Sequence, residues 1–451
     1  MKSGTPVADF IREYRERNFL RLHMPGHKGL GPAEAGDITE IGGAEPLYSG
    51  GGILRESEEN AAELFGAGRT AYSAEGSSLC IRAMLFLARL RAEERGIRPL
   101  ILAGRNAHRT FLSGAALLGL ETAWLRGESL LTCTPAAEEL EDALDRMAEP
   151  PAAVYVTSPD YLGSRADIRA LARVCREREI PLLADNAHGA YLRFLEEDAH
   201  PLSLGADLVC DSAHKTLPAL TGGAYLHIHR DADPLFAAQA DRAMALFAST
   251  SPSWLILESL DRCNALLRGG WPEELRAFVR RTEQTKERLR ARGMVLAGTE
   301  PMKISLETKP YGYTGVRMQE MLRAERIECE FADPDFLVMM PAPATGEEGL
   351  ARLERALAGI PRREGIPERP PTPPRAERAM PVRAAMLAPA ETVPAERSLG
   401  RILADPCVSC PPAVPVLISG ERITEEALRC FRYYGIREVA CVRETPRAGR
   451  S

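Results

Sequence analysis

Short apolar runs alternate with longer amphipathic segments through the middle of the chain. Five of these runs have the length and composition of strands: Leu100–Ala103, Ala152–Thr157, Ile180–Ala184, Leu208–Cys210 and Ala224–Ile228. Helical patterns, such as those over residues 136–147 and 166–178, separate some of them. This alternation predicts an α/β fold with βαβ units and a mostly parallel sheet covered on both faces. Functional side chains are then expected at the carboxyl ends of the strands.

The pattern changes on either side of this region. Residues 1–65 predict an N-terminal arm with one helix and a glycine-rich stretch, followed by a large domain over residues 66–270. Residues 271–360 combine two helices with a strand–helix–strand pattern, which predicts a small α+β domain. A proline-rich connector over residues 361–375 leads to a C-terminal region, residues 376–451, with two helical patterns and a final apolar run.

Polar residues with catalytic potential follow several of the predicted strands. Lys215 lies in a loop between two of them, where a neighbouring histidine and desolvation can lower its proton affinity and allow a Schiff base with an aldehyde. A solvated loop lysine is the alternative. Gly76-Ser77-Ser78 precedes an apolar helical run and is either a phosphate-binding helix N-terminus or an ordinary serine cap. Asp185, His108 and His188 also follow strands. Asp185 is either a helix cap or a carboxylate aimed into a cleft, and each histidine taken alone is interpreted as a structural residue hydrogen-bonded to the backbone.

One cofactor accounts for these residues together. Pyridoxal 5′-phosphate requires an amine for its aldehyde, a carboxylate for its pyridine nitrogen, a phosphate cradle and a flat group against its ring. Lys215, Asp185, Gly76-Ser77-Ser78 and His108 can fill those four roles. The segment between Asp185 and Lys215 is long enough for one crossover helix joining two parallel strands.

Several segments resemble the Orn/Lys/Arg decarboxylase family of fold-type-I pyridoxal-phosphate enzymes, particularly its short members. The resemblance covers nearly the whole chain and includes His23-Met-Pro-Gly-His-Lys-Gly29, Asp37-Ile-Thr-Glu40, Gly76-Ser-Ser78, Arg105-Asn-Ala-His108, Thr157-Ser-Pro159, Asp185-Asn-Ala-His-Gly189, Ser212-Ala-His-Lys-Thr-Leu-Pro-Ala-Leu-Thr-Gly-Gly-Ala224, Ser249-Thr-Ser-Pro252, Gly400-Arg-Ile402, Pro411-Pro412 and Gly420-Glu421. It implies a large domain with a mostly parallel seven-stranded sheet and a smaller α+β C-terminal domain.

The resemblance also implies a role for each matching residue. Lys215 binds the cofactor covalently, Asp185 pairs with its pyridine nitrogen and His108 stacks on its ring. The resemblance further implies that the phosphate is bound by Gly76, Ser77, Ser78 and Ser212. His214 would contact the cofactor and His188 would line the site. Thr250, in Ser249-Thr250-Ser251, would reach the partner subunit's cofactor. A homodimer with shared active sites is therefore expected.

The activity implied is decarboxylation of a basic amino acid to its amine and CO2, feeding polyamine synthesis. Arginine is favoured over lysine and ornithine, and Glu45, Glu330 and Glu421 are candidate partners for the distal cation of the substrate. Asn186 and Tyr191 replace an acidic residue and a histidine that family members often carry. Another pyridoxal-phosphate activity, such as an aminotransferase or lyase, is one alternative, and a catalytically idle binding protein with this fold is another.

Composition narrows the choice of partners. The 451 residues are 45% hydrophobic and 27% charged, with a net charge of −6 and no polybasic cluster, which argues against nucleic acid or an anionic membrane. No run reaches the ~20 apolar residues of a membrane span, and no signal sequence begins the chain, so a cytoplasmic protein is expected. Cys407 and Cys410 have CxxC spacing without a second ligand pair, and Pro25 and Gly26 separate His23 from His27. No metal site is predicted.

Overall fold

The fold was analysed in a computed structural model that describes residues 4–32, 34–127, 133–409 and 415–444. Within these residues, no helix has the length and apolar character needed to cross a bilayer. The helices are α1 (Pro6–Glu16), α2 (Gly52–Phe65), α3 (Ser77–Arg95), α4 (Arg109–Leu118), α5 (Ala137–Asp145), α6 (Ile168–Glu177), α7 (Ala213–Thr216), α8 (Pro234–Ala245), α9 (Trp254–Arg268), α10 (Trp271–Ala291), α11 (Gly315–Ala324), α12 (Gly346–Ala358), α13 (Val382–Met386) and α14 (Glu425–Tyr433).

The main sheet has seven strands in the order β1-β7-β6-β5-β4-β2-β3. They are β1 (Arg69–Ser73), β2 (Leu100–Gly104), β3 (Glu121–Leu125), β4 (Ala153–Thr157), β5 (Leu182–Asp185), β6 (Leu208–Asp211) and β7 (Ala224–Ile228). The pairs β2–β3, β4–β5 and β5–β6 are parallel, and β7 runs antiparallel to both of its neighbours. Every residue of β4, β5 and β6 is buried, as expected for parallel strands that are covered on both faces. The predicted mostly parallel sheet is confirmed.

Strand β1 was not predicted from the hydrophobic pattern because its sequence, Arg-Thr-Ala-Tyr-Ser, is largely polar. Its polar side chains are buried with partners. The Arg69 guanidinium donates to Glu58 at 2.8 Å and to Asp241 at 2.6 Å, and the Thr70 hydroxyl lies 2.8 Å from His227 Nδ1. Buried polar groups are tolerated when they are paired in this way. Strand β3, a mixed segment in which Glu121 is exposed, was missed for the same reason.

The connection from β5 to β6 differs from the prediction. An α-helical crossover was expected there, whereas residues 186–207, all of them described, contain only a 3₁₀ segment, Ala190–Phe194. Gly189, Pro201 and Gly205 divide the connection into pieces too short for a stable helix. The two strands still pair in parallel, with Asp185 opposite Cys210.

The chain divides into two compact units. The first comprises Met1–Arg98, Ala136–Pro159 and Ala166–Ala277, and the second comprises Pro99–Pro135, Asp160–Arg165 and Phe278–Ser451. The second unit contains the four-stranded antiparallel sheet β10-β11-β9-β8, formed by β8 (Val295–Ala297), β9 (Ile304–Glu307), β10 (Phe331–Ala332) and β11 (Phe336–Met339). Leu306, Leu337 and Leu357 lie in the hydrophobic core beside it.

The C-terminal part of the second unit has a hydrophobic core of its own. Two antiparallel strand pairs, β12–β15 and β13–β14, flank it, with the bounds β12 (Ala390–Pro394), β13 (Cys407–Ser409), β14 (Pro415–Ile418) and β15 (Glu438–Val442). Val416, Leu417 and Phe431 are fully buried in it, where Phe431 belongs to α14. The final apolar run predicted for this part of the chain corresponds to β15.

Candidate active site

Lys215 lies on the short helix α7, directly after β6. Its backbone N–H donates to the Ser212 carbonyl at 3.0 Å, which closes the turn. Its amine lies 3.1 Å from His188 Nε2, in the loop that follows β5. Lys215 itself is solvent-exposed, so the desolvation expected for it from the sequence is not found, whereas its histidine neighbour His188 is buried. The lysine is thus held by the carboxyl end of a neighbouring strand, where ligands of α/β sheets bind.

Asp185, the last residue of β5, is 2% exposed, and both of its carboxylate oxygens accept hydrogen bonds. One carboxylate oxygen accepts from the Tyr155 hydroxyl at 3.0 Å, and the other accepts from the Ala187 N–H at 3.2 Å and the Cys210 thiol at 3.5 Å. Burial and then the charge of Asp185 raise the pKa of Tyr155 and of Cys210, so both keep their protons. Asp185 is therefore placed as an acceptor at the strand end.

Two serine hydroxyls meet at the N-terminus of α3. The Ser212 hydroxyl donates to the Ser77 oxygen at 2.8 Å, and Ser78 follows in the same first helical turn. The N-cap is Gly76, so the ordinary serine cap considered from the sequence is not present. Gly76 has φ +70°, a left-handed conformation that favours glycine, and its N–H donates to the Gly222 carbonyl at 2.7 Å. A side chain built on Gly76 would meet no atom within 4 Å, which leaves open space beside these hydroxyls.

The remaining predicted contacts are positioned separately. His214 Nδ1 lies 3.0 Å from the Gly223 carbonyl, so this nitrogen carries the proton and the ring orientation is fixed. His108, in the second unit, caps α4 by accepting from the Thr110 N–H at 3.3 Å, and it is exposed. Thr250 is also exposed, next to Ser249, whose N–H donates to Glu75 at 2.6 Å. Cofactor roles for these three residues stay predictions.

A second polar cluster beneath the site was not anticipated from the sequence. Asp211, the last residue of β6, is buried between His200 and His227, and both histidines are also fully buried. The Asn186 amide donates to its other oxygen at 2.6 Å. Burial by itself raises the pKa of Asp211, but the histidines outweigh that effect and the net pKa lies below its ordinary value. The members are scattered over four segments, so no local motif reveals them.

An ion pair in the second unit involves one of the predicted substrate carboxylates. Arg105, which follows β2, donates through both terminal nitrogens to the two oxygens of Glu421, each at 2.9 Å, and each residue is 4% exposed. Glu421 also accepts from the Ile418 N–H at 2.9 Å. Its carboxylate is therefore already neutralised, which disfavours it as the partner of a substrate cation. Glu330 is exposed and accepts from the Tyr161 hydroxyl at 3.1 Å, and Glu45 is exposed.

The other candidate ligands have ordinary protein partners. His23 Nε2 lies 2.6 Å from the Tyr14 hydroxyl, and His27 Nε2 lies 3.1 Å from Asp37. Cys407 is half-buried, and burial raises the pKa of its thiol. Cys410 and the Pro411-Pro412 match lie outside the described residues.

Comparison with known proteins identifies the family. The major-domain model of the Orn/Lys/Arg decarboxylases matches residues 31–308, and their C-terminal-domain model matches residues 371–441. The chain belongs to the Orn/Lys/Arg decarboxylase family. The predicted family and enzyme class, a decarboxylase of basic amino acids, are thereby confirmed.

Relatives with assigned names cover the whole chain. An arginine decarboxylase of Halalkalibacterium halodurans is 30% identical over 99% of this chain and 94% of its own length. An arginine decarboxylase of Bacillus subtilis is 28% identical over 94% of this chain and 92% of its own length. Among solved structures, the constitutive lysine decarboxylase of E. coli aligns with 97% of this chain and 82% of its own, at a TM-score of 0.77 and 16% identity. At that identity the likeness shows the fold alone, and the predicted fold class is confirmed.

Proposed function

We propose that this member of the Orn/Lys/Arg decarboxylase family is a pyridoxal-5′-phosphate-dependent arginine decarboxylase. The observation that carries the proposal is the position of Lys215, whose amine contacts His188 and whose helical turn begins at Ser212, itself bonded to Ser77. An amine, a strand-end carboxylate and a helix N-terminus with hydroxyls are thus gathered at one edge of the sheet. The family assignment and the named arginine decarboxylases support the substrate choice.

The residues present fit this cofactor. Lys215 would hold its aldehyde carbon and Asp185 would accept from its protonated pyridine nitrogen. Ser77, Ser78, Ser212 and the N–H groups at the start of α3 would bind the phosphate in the space beside Gly76. His214, His188, His108 and Thr250 complete the proposed contacts, with Thr250 directed to the cofactor of the partner subunit in a homodimer.

The reaction needs few groups from the protein. When bound, pyridoxal 5′-phosphate supplies the electron sink for the bond that breaks as CO2 leaves. Asp185 would present its carboxylate to the pyridine nitrogen, and the Tyr155 hydroxyl donates to that carboxylate and orients it. Lys215 and His188, 3.1 Å apart, can share a proton and return it to Cα. A cytoplasmic location and a place in polyamine synthesis stay predictions.

Product analysis tests the proposal. The purified chain, loaded with pyridoxal 5′-phosphate, is incubated separately with arginine, lysine and ornithine, and both CO2 and the organic product are measured. Agmatine with an equal amount of CO2 is expected. A keto acid without CO2 would instead identify an aminotransferase, and cadaverine would move the substrate to lysine.

A matched pair of variants tests the role of the lysine. Lys215→Ala removes the amine and its charge, whereas Lys215→Arg keeps the charge but cannot hold an aldehyde. Both variants are expected to lose CO2 release and the absorbance band near the visible edge. Retained activity in Lys215→Arg would overturn the assignment, and absence of bound cofactor in the wild type would favour an idle binding protein.

A further inference from the structure

We propose that Asp211 is a positioning residue, which fixes the two strand ends that hold opposite ends of the cofactor. This inference rests on the proposed function. Asp211 lies at the end of β6, and the next residue, Ser212, donates to Ser77 beside the proposed phosphate site. Its side chain also binds Asn186, the residue directly after Asp185. One carboxylate therefore connects the proposed phosphate end of the site with the proposed pyridine end.

The hydrogen bonds around Asp211 define its charge and the tautomers of its partners. His200 Nδ1 accepts from the Leu202 N–H at 3.3 Å, so His200 Nε2 carries the proton and donates to Asp211 at 2.9 Å. His227 Nδ1 lies 2.8 Å from the Thr70 hydroxyl, which can donate to it, and its Nε2 faces Asp211 at 3.3 Å. The carboxylate thus accepts hydrogen bonds from two segments, through Asn186 and His200, and the His227 ring lies beside it.

This arrangement also distinguishes the cluster from a metal site. Two imidazoles and a carboxylate at these distances have the composition of a metal centre. However, a metal binds the nitrogen lone pair, and the Nε2 atom of His200 directs a proton at Asp211 instead. Phe65 stacks on the His227 ring with centroids 4.3 Å apart, which holds that ring in place. The cluster is therefore a rigid hydrogen-bonded support.

The hydrogen bonds around Asp211 cannot all be kept when a neutral side chain replaces the carboxylate. An asparagine at position 211 offers one acceptor oxygen and one NH2 group in place of two acceptors. In either orientation its NH2 group would face a donor, either the Asn186 amide or the His200 Nε2 proton. The loop that carries Asp185 and His188 would then shift relative to Ser212 and Lys215. Cofactor binding and the protonation of the bound cofactor should both respond.

The test compares Asp211→Asn with Asp207→Asn in the full-length chain. Asp207 precedes the opposite end of β6, where its carboxylate accepts from the Leu182 N–H at 2.8 Å, so it is a matched control away from the site. Pyridoxal 5′-phosphate is titrated into each cofactor-free protein, and the pH midpoint of the bound cofactor's absorbance change is recorded with the melting temperature. Asp211→Asn should weaken binding about tenfold or more and shift the pH midpoint. Asp207→Asn should change binding by less than about twofold.

Equal binding and equal pH midpoints in the two variants would overturn the proposal and leave Asp211 a structural role only. If Asp211→Asn does not fold, Asn186→Ala removes one of the same bonds without disturbing the histidines. It should weaken binding to a smaller extent, and unchanged binding would overturn the proposal. A wild-type protein that binds no pyridoxal 5′-phosphate would contradict the proposed function instead, so the two failures are distinguishable.

Discussion

Asp211 and Glu421 are both buried carboxylates, yet their surroundings stabilise them in different ways. Asp211, in the first unit, accepts hydrogen bonds from side chains 11 and 25 residues away, His200 and Asn186. Glu421, in the second unit, binds one cation, Arg105, from 316 residues earlier in the chain. One charge is dispersed over several dipoles and the other is cancelled by a single opposite charge.

The difference predicts how each site responds to damage. Where several donors bind one carboxylate, removal of a single hydrogen bond leaves the others in place. The cost is then about that of one unsatisfied buried polar group. In an ion pair, by contrast, removal of one member leaves the other as a buried charge without a counter-charge, which costs more. The Arg105–Glu421 pair should therefore be the more fragile of the two when only one member is changed.

Glu421→Gln should have the largest effect on stability. It leaves Arg105 buried without its counter-charge, beside Arg126, whose pKa is already lowered by burial and then by the charge of Arg105. A loss of about 3–5 kcal/mol in the free energy of unfolding is expected, measured by urea denaturation. The control is Glu391→Gln, which removes the 2.7 Å partner of Arg401 at a site where Glu391 is 42% exposed. That variant should lose less than about 1 kcal/mol. Equal losses would contradict the comparison.

Asp211→Asn should have an intermediate effect. The substitution places an NH2 group against donors but leaves no net charge unpaired, so a loss of about 1–3 kcal/mol is expected in the same urea experiment. A loss as large as that of Glu421→Gln would show that one of the histidines is charged in the folded protein, contrary to the tautomers derived above.

The pH dependence of stability tests whether His227 is neutral in the folded protein. Burial lowers the pKa of His227 more than the Asp211 contact raises it, so the folded protein keeps this ring neutral. Below pH ~6.5 the unfolded chain binds a proton that the folded chain does not. The free energy of unfolding therefore decreases as the pH is lowered, by at most about 1.4 kcal/mol per pH unit from this group. His227→Gln should show a shallower decline between pH 7.5 and 5.5 than the wild type. An identical slope would mean that His227 is protonated in the folded state.

Replacing both members of the ion pair should have the smallest effect. Arg105→Met combined with Glu421→Gln removes both buried charges, while the amide oxygen at position 421 can still accept from the Ile418 N–H. Neutral replacement of both members of a buried ion pair is often without net cost. The double variant should unfold within about 1 kcal/mol of the wild type, well above Glu421→Gln. A double variant as unstable as the single one would show that packing around the pair, rather than charge, sets its cost.

The sequence predicted the parts of this protein that depend on local patterns. The buried strands β4 to β7 were predicted because continuous apolar runs are a local signal. Lys215, Asp185 and Gly76-Ser77-Ser78 were selected because each follows or precedes such an element and because their sequences resemble the family. The structure brings Lys215, the Asp185–His188 loop and Ser77 to one edge of the sheet.

What the sequence did not predict depends on partners distant in the chain. Strand β1 has a polar sequence and was not predicted to be buried. Its Arg69 can be buried because Glu58 and Asp241, from other parts of the chain, bind its guanidinium. The sequence offered Glu421 as a partner for a substrate cation, but its carboxylate is already paired with the Arg105 guanidinium. Long-range pairing of this kind leaves no periodic pattern, so it can be recognised only in three dimensions.

The same pair constrains the order of events during synthesis. Arg105 emerges from the ribosome long before Glu421, since 316 residues separate them. A guanidinium is costly to dehydrate without its counter-charge, so the nascent chain keeps this side chain in contact with water until the C-terminal segment arrives. A chain that ends before residue 421 therefore lacks the counter-charge that Arg105 needs for burial, although nearly all of its residues are present.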